Sequence, residues 1–335
     1  MALRTGIIGM GTMGRVRKRE IEKHPSFQLV AISDINEQVA DEFPGIFFSA
    51  NWEDVLKQKL DVVFVCTYNK VIPRIVITAL NKGIHVFAEK PPGRTVSDVL
   101  EMKKVKDKHP DLILKFGFNH RFHSSILEAK AIVDSKIYGD IVCARGVYGK
   151  AGGLSFAECW RSDKEIAGGG ILLDQGIHML DLLRFFMGEF TQVKSFVENL
   201  VWDEIDLEDN AFAIMKTADN KVAMMQSSAT QWKHKFLLEL IFEKGYIVVD
   251  GLLTGSRSYG EERIVFAKRQ FEDEGILGKP KEEEIHFDED HSWEYELKEF
   301  YEAVIGKNTH INGDIDDALA TMKLVYTIYE NALNK

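Results

Sequence analysis

Short apolar runs at residues 3–8, 27–33, 61–66, 84–88 and 112–118 alternate with stretches whose apolar positions recur at helical spacing. Runs of this length read as strands, and strands alternating with helices build a parallel sheet covered on both faces. Pro25 closes the first helical stretch, and Gly83 after "IVITALNK" has the place of a helix C-cap. This pattern predicts a first domain over residues 1–120.

Beyond residue 120 the pattern changes. Helices are expected over about 123–135 and 170–187, with a strand near 141–148 and a glycine-rich loop, 149–170, between them. The runs "FVENLVW", "NAFAIMKT", "KVAMMQSSAT", "FLLELIFE" and "YIVVD" then follow one another across short turns, the signature of a mostly antiparallel sheet. Residues 254–291 carry weak periodicity and predict loop with a short strand or two. Helices over 292–306 and 314–333 finish the chain, the second opened by Asp314 as N-cap. The second domain is expected over 121–335, with the helix 314–333 packing back on the first.

Composition narrows the class. Apolar residues make up 45% and charged residues 28%, the balance of a globular enzyme. A net charge of −10 argues against a nucleic-acid partner, which calls for a basic face. The basic run "RVRKRE", residues 15–20, reads as a solvated helix face. No apolar run reaches the roughly 18 residues of a membrane span. Met1 leads directly into a strand with no signal peptide, and the 3 cysteines, Cys66, Cys143 and Cys159, lack metal spacing, so a cytoplasmic protein with reduced thiols is expected. Cys159, in a polar loop, is the candidate for reactivity.

"GIIGMGTMGRV" sets Gly9, Gly11 and Gly14 between a strand and a helix. The first glycine permits the tight turn, the second lets a pyrophosphate approach the backbone, and the third lets helix and strand pack closely. The next strand ends in Asp34, about 20 residues on, where a carboxylate reaches ribose hydroxyls. This is a dinucleotide-binding signature, and Thr12 and Met13 within the turn join the expected cofactor contacts. An acid at position 34 repels a 2′-phosphate, which favours NAD(H); Ser33 beside it leaves NADP(H) as the alternative. Thr67 at the end of the third strand, Asn69 after it and Glu89 at the end of the fourth are expected to border the cofactor, because ligands bind beyond the carboxyl ends of parallel strands.

The same rule places Lys90 of "EKPPGRTV" at the nicotinamide end, its backbone fixed by Pro91 and Pro92. In "AGGGILLDQGIHMLDLLRFF", Asp174, His178 and Asp181 fall at i, i+4 and i+7, one face of a helix. A metal site lacks a second histidine and an HExxH pattern. A satisfied core histidine is one reading of the face. An acid/base pair is the favoured one, with Asp174 fixing the imidazole tautomer and His178 moving a proton near neutral pH.

Together "GIIGMGTMG", "HVFAEKP", "CWRSD" and "GGGILLDQGIHMLDLL" resemble the glucose-fructose oxidoreductase, inositol dehydrogenase and MocA family (Gfo/Idh/MocA), over nearly the whole chain and in order. The resemblance implies an N-terminal Rossmann domain, a doubly wound parallel sheet, and a C-terminal α+β domain whose open sheet often forms the interface of a homo-oligomer, dimer or tetramer. It implies NAD(P)-dependent oxidation or reduction of a sugar, inositol or nucleotide-sugar hydroxyl. Lys90, Asp174 and His178 match the family's catalytic residues, the lysine reaching between nicotinamide and substrate. Asn119 and Arg121 of "GFNHRF", with Trp160 and Arg161 of "CWRSD", match positions near its substrate pocket. Two departures stand out: "CTYNKVIP" replaces the usual Thr-Pro-Asn stretch with its histidine, and Pro92 replaces a larger aliphatic residue. Two rival functions are a hydrolase that uses held NAD for transient oxidation with no net NADH, and a non-catalytic NAD-binding sensor. The proton-transfer set argues against the sensor.

Overall fold

The computed structural model describes residues 2–153, 155–271 and 277–333. The chain runs through β1 (Leu3–Ile8), α1 (Thr12–Lys23), β2 (Phe27–Ser33), β3 (Phe47–Ser49), α2 (Trp52–Val55), β4 (Val62–Val65), α3 (Ile72–Asn81), β5 (His85–Ala88), α4 (Val96–Lys106) and β6 (Leu114–Phe116). Next come α5 (Ser124–Ser135), β7 (Ile141–Gly149), α6 (Lys164–Ala167) and α7 (Ile177–Met187). Strands β8 (Phe190–Glu198), β9 (Asn210–Thr217), β10 (Val222–Ser228), β11 (Lys235–Phe242), β12 (Gly245–Asp250), β13 (Glu262–Lys268) and β14 (Glu283–Phe287) follow, then α8 (Ser292–Val304) and α9 (Ile315–Leu333). Two compact units result: Met1–Phe118 with Glu165–Gly168 and Trp293–Met322, and Asn119–Lys164 with Gly169–Ser292 and Lys323–Lys335.

The first unit holds a sheet of 6 strands in the order β3-β2-β1-β4-β5-β6, all parallel. This is the doubly wound order, in which strand sequence reverses between β1 and β4 and leaves a ligand crevice beyond their carboxyl ends. The "VVFV" of β4 is buried at every position, as a strand covered on both faces requires. Phe300 of α8 sets its ring edge-on to Phe64 and Phe87, with centroids 5.7 and 5.3 Å away. All three rings are fully buried, and burying each contributes on the order of 1.5–3 kcal/mol.

The expected N-cap at Asp314 forms, its Oδ1 accepting from the Asp316 and Asp317 amides at 2.9 and 2.8 Å, and Thr95 with Asp98 adds a reciprocal capping box at the start of α4. Gly83 follows α3 with φ +76°. The sheet has one strand more than the apolar runs predicted: the edge strand β3 is only 3 residues long and its phenylalanines are partly exposed, so it leaves almost no pattern.

The second unit is an 8-stranded sheet in the order β14-β13-β12-β11-β7-β10-β9-β8. Only β7 and β10 pair in parallel; the other neighbours are antiparallel. Alternation along β11 and β12 buries one face and leaves the other open. The strand expected at "FVENLVW" lies earlier, at Phe190–Glu198. The reason is Asp209, whose carboxylate accepts from the amides of Leu200, Val201 and Trp202 at 2.9, 2.8 and 3.0 Å and turns the chain out of the sheet. In the stretch 254–291, β13 and β14 form as expected, while residues 272–276 lie outside the described residues. The helix expected as one run over 170–187 opens into a π turn at Leu172–Gly176 before α7.

Candidate functional site

In the first unit the three glycines of the β1–α1 turn have three separate reasons. Gly9 has φ +92°, and a Cβ there would lie 2.3 Å from the Cys66 carbonyl. A Cβ on Gly14 would lie 2.0 Å from the Gly9 carbonyl, so helix and turn meet only without side chains. A Cβ on Gly11 would meet nothing within 4 Å. Gly11 is also the N-cap of α1 and brings no side chain to the helix's first amide donors, the arrangement that suits a phosphate. Asp34 closes this turn: its carboxylate accepts from the Met10 amide at 2.7 Å and the Asn36 amide at 2.9 Å. An open cradle at Gly11, uncapped helix donors at Thr12 and Met13, and a fixed carboxylate at the end of β2 together fit a dinucleotide.

Thr67 is half-buried beside Gly9. Asn69 is buried, and its amide donates to the Ala167 carbonyl at 2.8 Å, anchoring residues 165–168.

At the end of β5, Glu89 is buried and accepts from Arg17 Nε at 2.7 Å, while Arg17 Nη2 lies 2.8 Å from Glu296 Oε2. The guanidinium sits over the rings of Phe87 and Trp293, 4.1 and 4.7 Å from their centroids. This overturns the solvated reading of "RVRKRE" for Arg17, which is 1% exposed. The reason is long-range: its partners come from other elements, and a Cβ on Gly117 would lie 2.7 Å from Glu89 Oε2, so the residue after β6 is glycine where the ion pair passes. Burial pushes the Glu296 carboxyl up, against the pull of Arg17 and Lys115. Burial and the Glu89 charge likewise push the Cys66 thiol well up. Lys90 follows Glu89 half-buried, joined by a cis peptide to the buried Pro91.

The second unit gathers the remaining candidates. Asp174, on the π turn, is engaged by Arg161 Nε at 3.1 Å and Lys150 Nζ at 3.4 Å. Arg161 in turn lies over the Trp160 ring, 4.4 Å from its centroid. The next residue on the turn, Gln175, accepts from the Tyr259 hydroxyl at 3.0 Å. His178 is buried on α7 and stacks face to face on His120, centroids 3.8 Å apart and planes 15° off parallel. His120 lies 3.1 Å from Asn119 Oδ1 through Nδ1 and 3.0 Å from the Tyr148 hydroxyl through Nε2. Arg121 is buried in a two-pronged pair with Asp181, at 2.7 and 2.6 Å, so these two side chains are committed to each other inside the unit. Burial and the neighbouring Tyr259 hold the Tyr148 phenol well above its ordinary range, and burial pushes Tyr259 up to about 12.

Sequence reasoning passed over Lys150, His120, Tyr148 and Tyr259. Lys150 carried one available signal, as a cation at the mouth of the glycine-rich loop; the other three, on a helical turn, on β7 and in the turn after β12, meet only through tertiary contacts. A cavity of about 520 Å³ at the end of this sheet is lined by Gln231, Lys233, His234, Phe236 and Tyr259 among others. Among the described residues no group of three or more His, Cys, Asp or Glu is arranged to hold a metal, and no helix is long and apolar enough to cross a membrane.

Comparison with known proteins gives these features a context. The chain is similar to levoglucosan dehydrogenase of Pseudarthrobacter phenanthrenivorans, 29% identical over 58% of this chain and 53% of that protein. It is also similar to D-glucoside 3-dehydrogenase of Escherichia coli, 32% identical over 58% of this chain and 56% of that one. Myo-inositol 2-dehydrogenase of Thermotoga maritima is 26% identical over 75% of this chain and 76% of its own. The match thus spans about half the length of the first two of these relatives. Among solved structures, a levoglucosan dehydrogenase in complex with NADH superposes with a TM-score of 0.86 at 20% identity, over 99% of this chain and 97% of that one, a likeness of fold. Residues 3–116 match the oxidoreductase family with NAD-binding Rossmann fold, and residues 126–248 match the GFO/IDH/MocA C-terminal domain. With both halves matched in order, the chain belongs to the Gfo/Idh/MocA family.

Proposed function

We propose that this protein is an NAD(P)-dependent oxidoreductase that transfers a hydride between nicotinamide and a secondary hydroxyl or ketone of a sugar, inositol or nucleotide sugar. The observation that carries the reading is the open glycine cradle at Gly11 with the Asp34 carboxylate fixed against it. The dehydrogenase names of the relatives support the substrate class. NAD is the preferred cofactor: Asp34 suits ribose hydroxyls and repels a 2′-phosphate, and Arg15, a nearby cation, is occupied by Glu42.

Bound there, the cofactor supplies a hydride acceptor or donor. The chain's own residues do the rest. Gly11, Thr12 and Met13 offer backbone donors to the pyrophosphate, and Asp34 accepts from the ribose. His178 takes the hydroxyl proton during oxidation, Lys90 hydrogen-bonds the reacting oxygen, and Asp174, steadied by Arg161 and Lys150, orients and stabilises the imidazolium. Trp160 and Arg161 contact the substrate. The open sheet face exposes Phe196, Ile214 and Met224, at 59%, 54% and 44%, an apolar surface suited to a second copy of the chain.

His178→Ala tests the chemistry. General-base assistance contributes roughly 10² to 10⁴ in rate, so turnover should fall by at least the lower figure while NAD affinity stays unchanged. Turnover within about threefold of the parent, against that expected loss, removes His178 from the mechanism.

A further inference from the structure

His120 stands next to His178 in space, yet nothing in the proposed reaction uses it. Its two ring nitrogens are both engaged. Asn119 Nδ2 donates to Ser292 Oγ at 3.5 Å, which turns its Oδ1 towards His120 Nδ1, 3.1 Å away. A carbonyl oxygen only accepts, so Nδ1 carries a proton, and Nε2 lies 3.0 Å from the Tyr148 hydroxyl. The Tyr148 ring is buried against Phe236 and Tyr259, which holds the hydroxyl in place. His120 is thus held at both ring nitrogens, and its face lies 3.8 Å from that of His178.

A neutral aromatic face so placed attracts a cation above it. A charged ring in the same position would oppose protonation of its neighbour. We propose that His120 is the positioning residue for His178: a neutral ring, its Nδ1 donating to Asn119 and its Nε2 accepting from Tyr148, whose face supports the His178 imidazole while it gains and loses its proton. The proposal rests on the reading of His178 as the group that moves the proton. The titratable and charged groups on the elements around this stack are His123 with Glu262, Tyr148 with Tyr259, Arg121 with Asp181, and Asp174 with Lys150 and Arg161. The first pair is within reach of His120 through a His123 ring contact at 5.5 Å.

The test needs no substrate. Histidine labelled with ¹³C at Cε1 lets the His178 resonance be titrated by NMR, assigned with His178→Gln, in the parent, His120→Phe, His120→Ala and Tyr148→Phe. His120→Ala should lower the His178 midpoint by about half a unit to one and a half units, the shift given by loss of an aromatic–cation contact. His120→Phe keeps a ring beneath His178 and should hold the midpoint close to the parent. Tyr148→Phe frees His120 Nε2 to take a proton, so His120 should begin to titrate and His178 should shift down with it. Unchanged resonances of histidines away from the stack, such as His24, His85 and His286, establish that each variant is folded.

A His178 midpoint unmoved in His120→Ala, an equal shift in His120→Phe and His120→Ala, or a His178 that does not titrate in the parent overturns the proposal. If His120→Ala shifts the midpoint as expected while no substrate yields hydride transfer, the platform stands and the assigned reaction falls.

Discussion

Replacing Arg17 with methionine is the sharpest test of how the first unit holds the end of β5. Arg17, Glu89 and Glu296 have side chains 1%, 7% and 0% exposed, one guanidinium between two carboxylates. Methionine fills most of the space between Phe87 and Trp293 but leaves both carboxylates buried without the guanidinium between them, Glu296 keeping only the weaker pull of Lys115. Breaking a buried pair from one side costs about 3–5 kcal/mol, a large part of the 5–15 kcal/mol, roughly, that holds a domain together. For a unit of this size the melting temperature should fall by roughly 6–20 °C.

The sign with pH follows from Glu296. Burial already raises its folded pKa above the unfolded value, and removing Arg17 raises it further. A carboxyl raised on folding destabilises progressively as pH rises through the folded pKa, so the deficit should be largest in alkali and shrink on acidification. Calorimetric unfolding of the parent, Arg17→Met, and the triple variant with Glu89→Gln and Glu296→Gln reads this directly. The triple variant should recover most of the loss, because neutral amides carry no buried charge. An Arg17→Met protein that melts with the parent, or a triple variant no better than the single one, refutes the reasoning.

Other outcomes follow from single contacts. Gly11→Ala should leave the melting temperature nearly unchanged, since its Cβ meets nothing within 4 Å, yet weaken NAD binding by calorimetry at least about tenfold by obstructing the phosphate approach. Gly9→Ala, with φ +92° and a Cβ 2.3 Å from the Cys66 carbonyl, should lose stability as well as binding. Asp34→Ala removes a charged hydrogen-bond acceptor worth about 1.5–3 kcal/mol, so the preference for NAD over NADP, measured as a ratio of dissociation constants, should fall by at least about tenfold. Asp209 opposes burial with hydrogen bonds from three backbone amides and Asn210, which hold its carboxyl below the ordinary range. Its contribution is full above the unfolded pKa and is lost as pH falls through the folded one; Asp209→Asn should cost about 1–3 kcal/mol at neutral pH and flatten that acid limb in a denaturation series.

What was legible in the sequence was what is local. The glycine turn and Asp34 declare themselves because steric need and chain spacing are written in neighbouring residues, and the caps at Gly83 and Asp314 belong to the same class. Alternation placed the open sheet for the same reason. The misses share a different cause. Arg17 looked like one more charge on a solvated helix because Glu89, its partner, lies 72 residues along the chain. The π turn at Leu172–Gly176 leaves the apolar pattern of an ordinary helix intact. Strand β3 is too short to have a period. The ring beneath His178 comes from a helical turn whose neighbours Asn119 and Arg121 drew attention, while His120 itself acquires meaning only when β7 brings Tyr148 to it.

The central claim is hydride transfer, and the direct measurement is the near-ultraviolet absorbance of reduced nicotinamide when the purified protein meets NAD⁺ or NADP⁺ with a panel of inositols, hexoses, glycosides, uronic acids and nucleotide sugars. The account predicts a rise with one substrate class, faster with NAD⁺ than with NADP⁺ and abolished by His178→Ala. Cofactor binding without an absorbance change for any member of the panel, with or without release of a sugar, would contradict it.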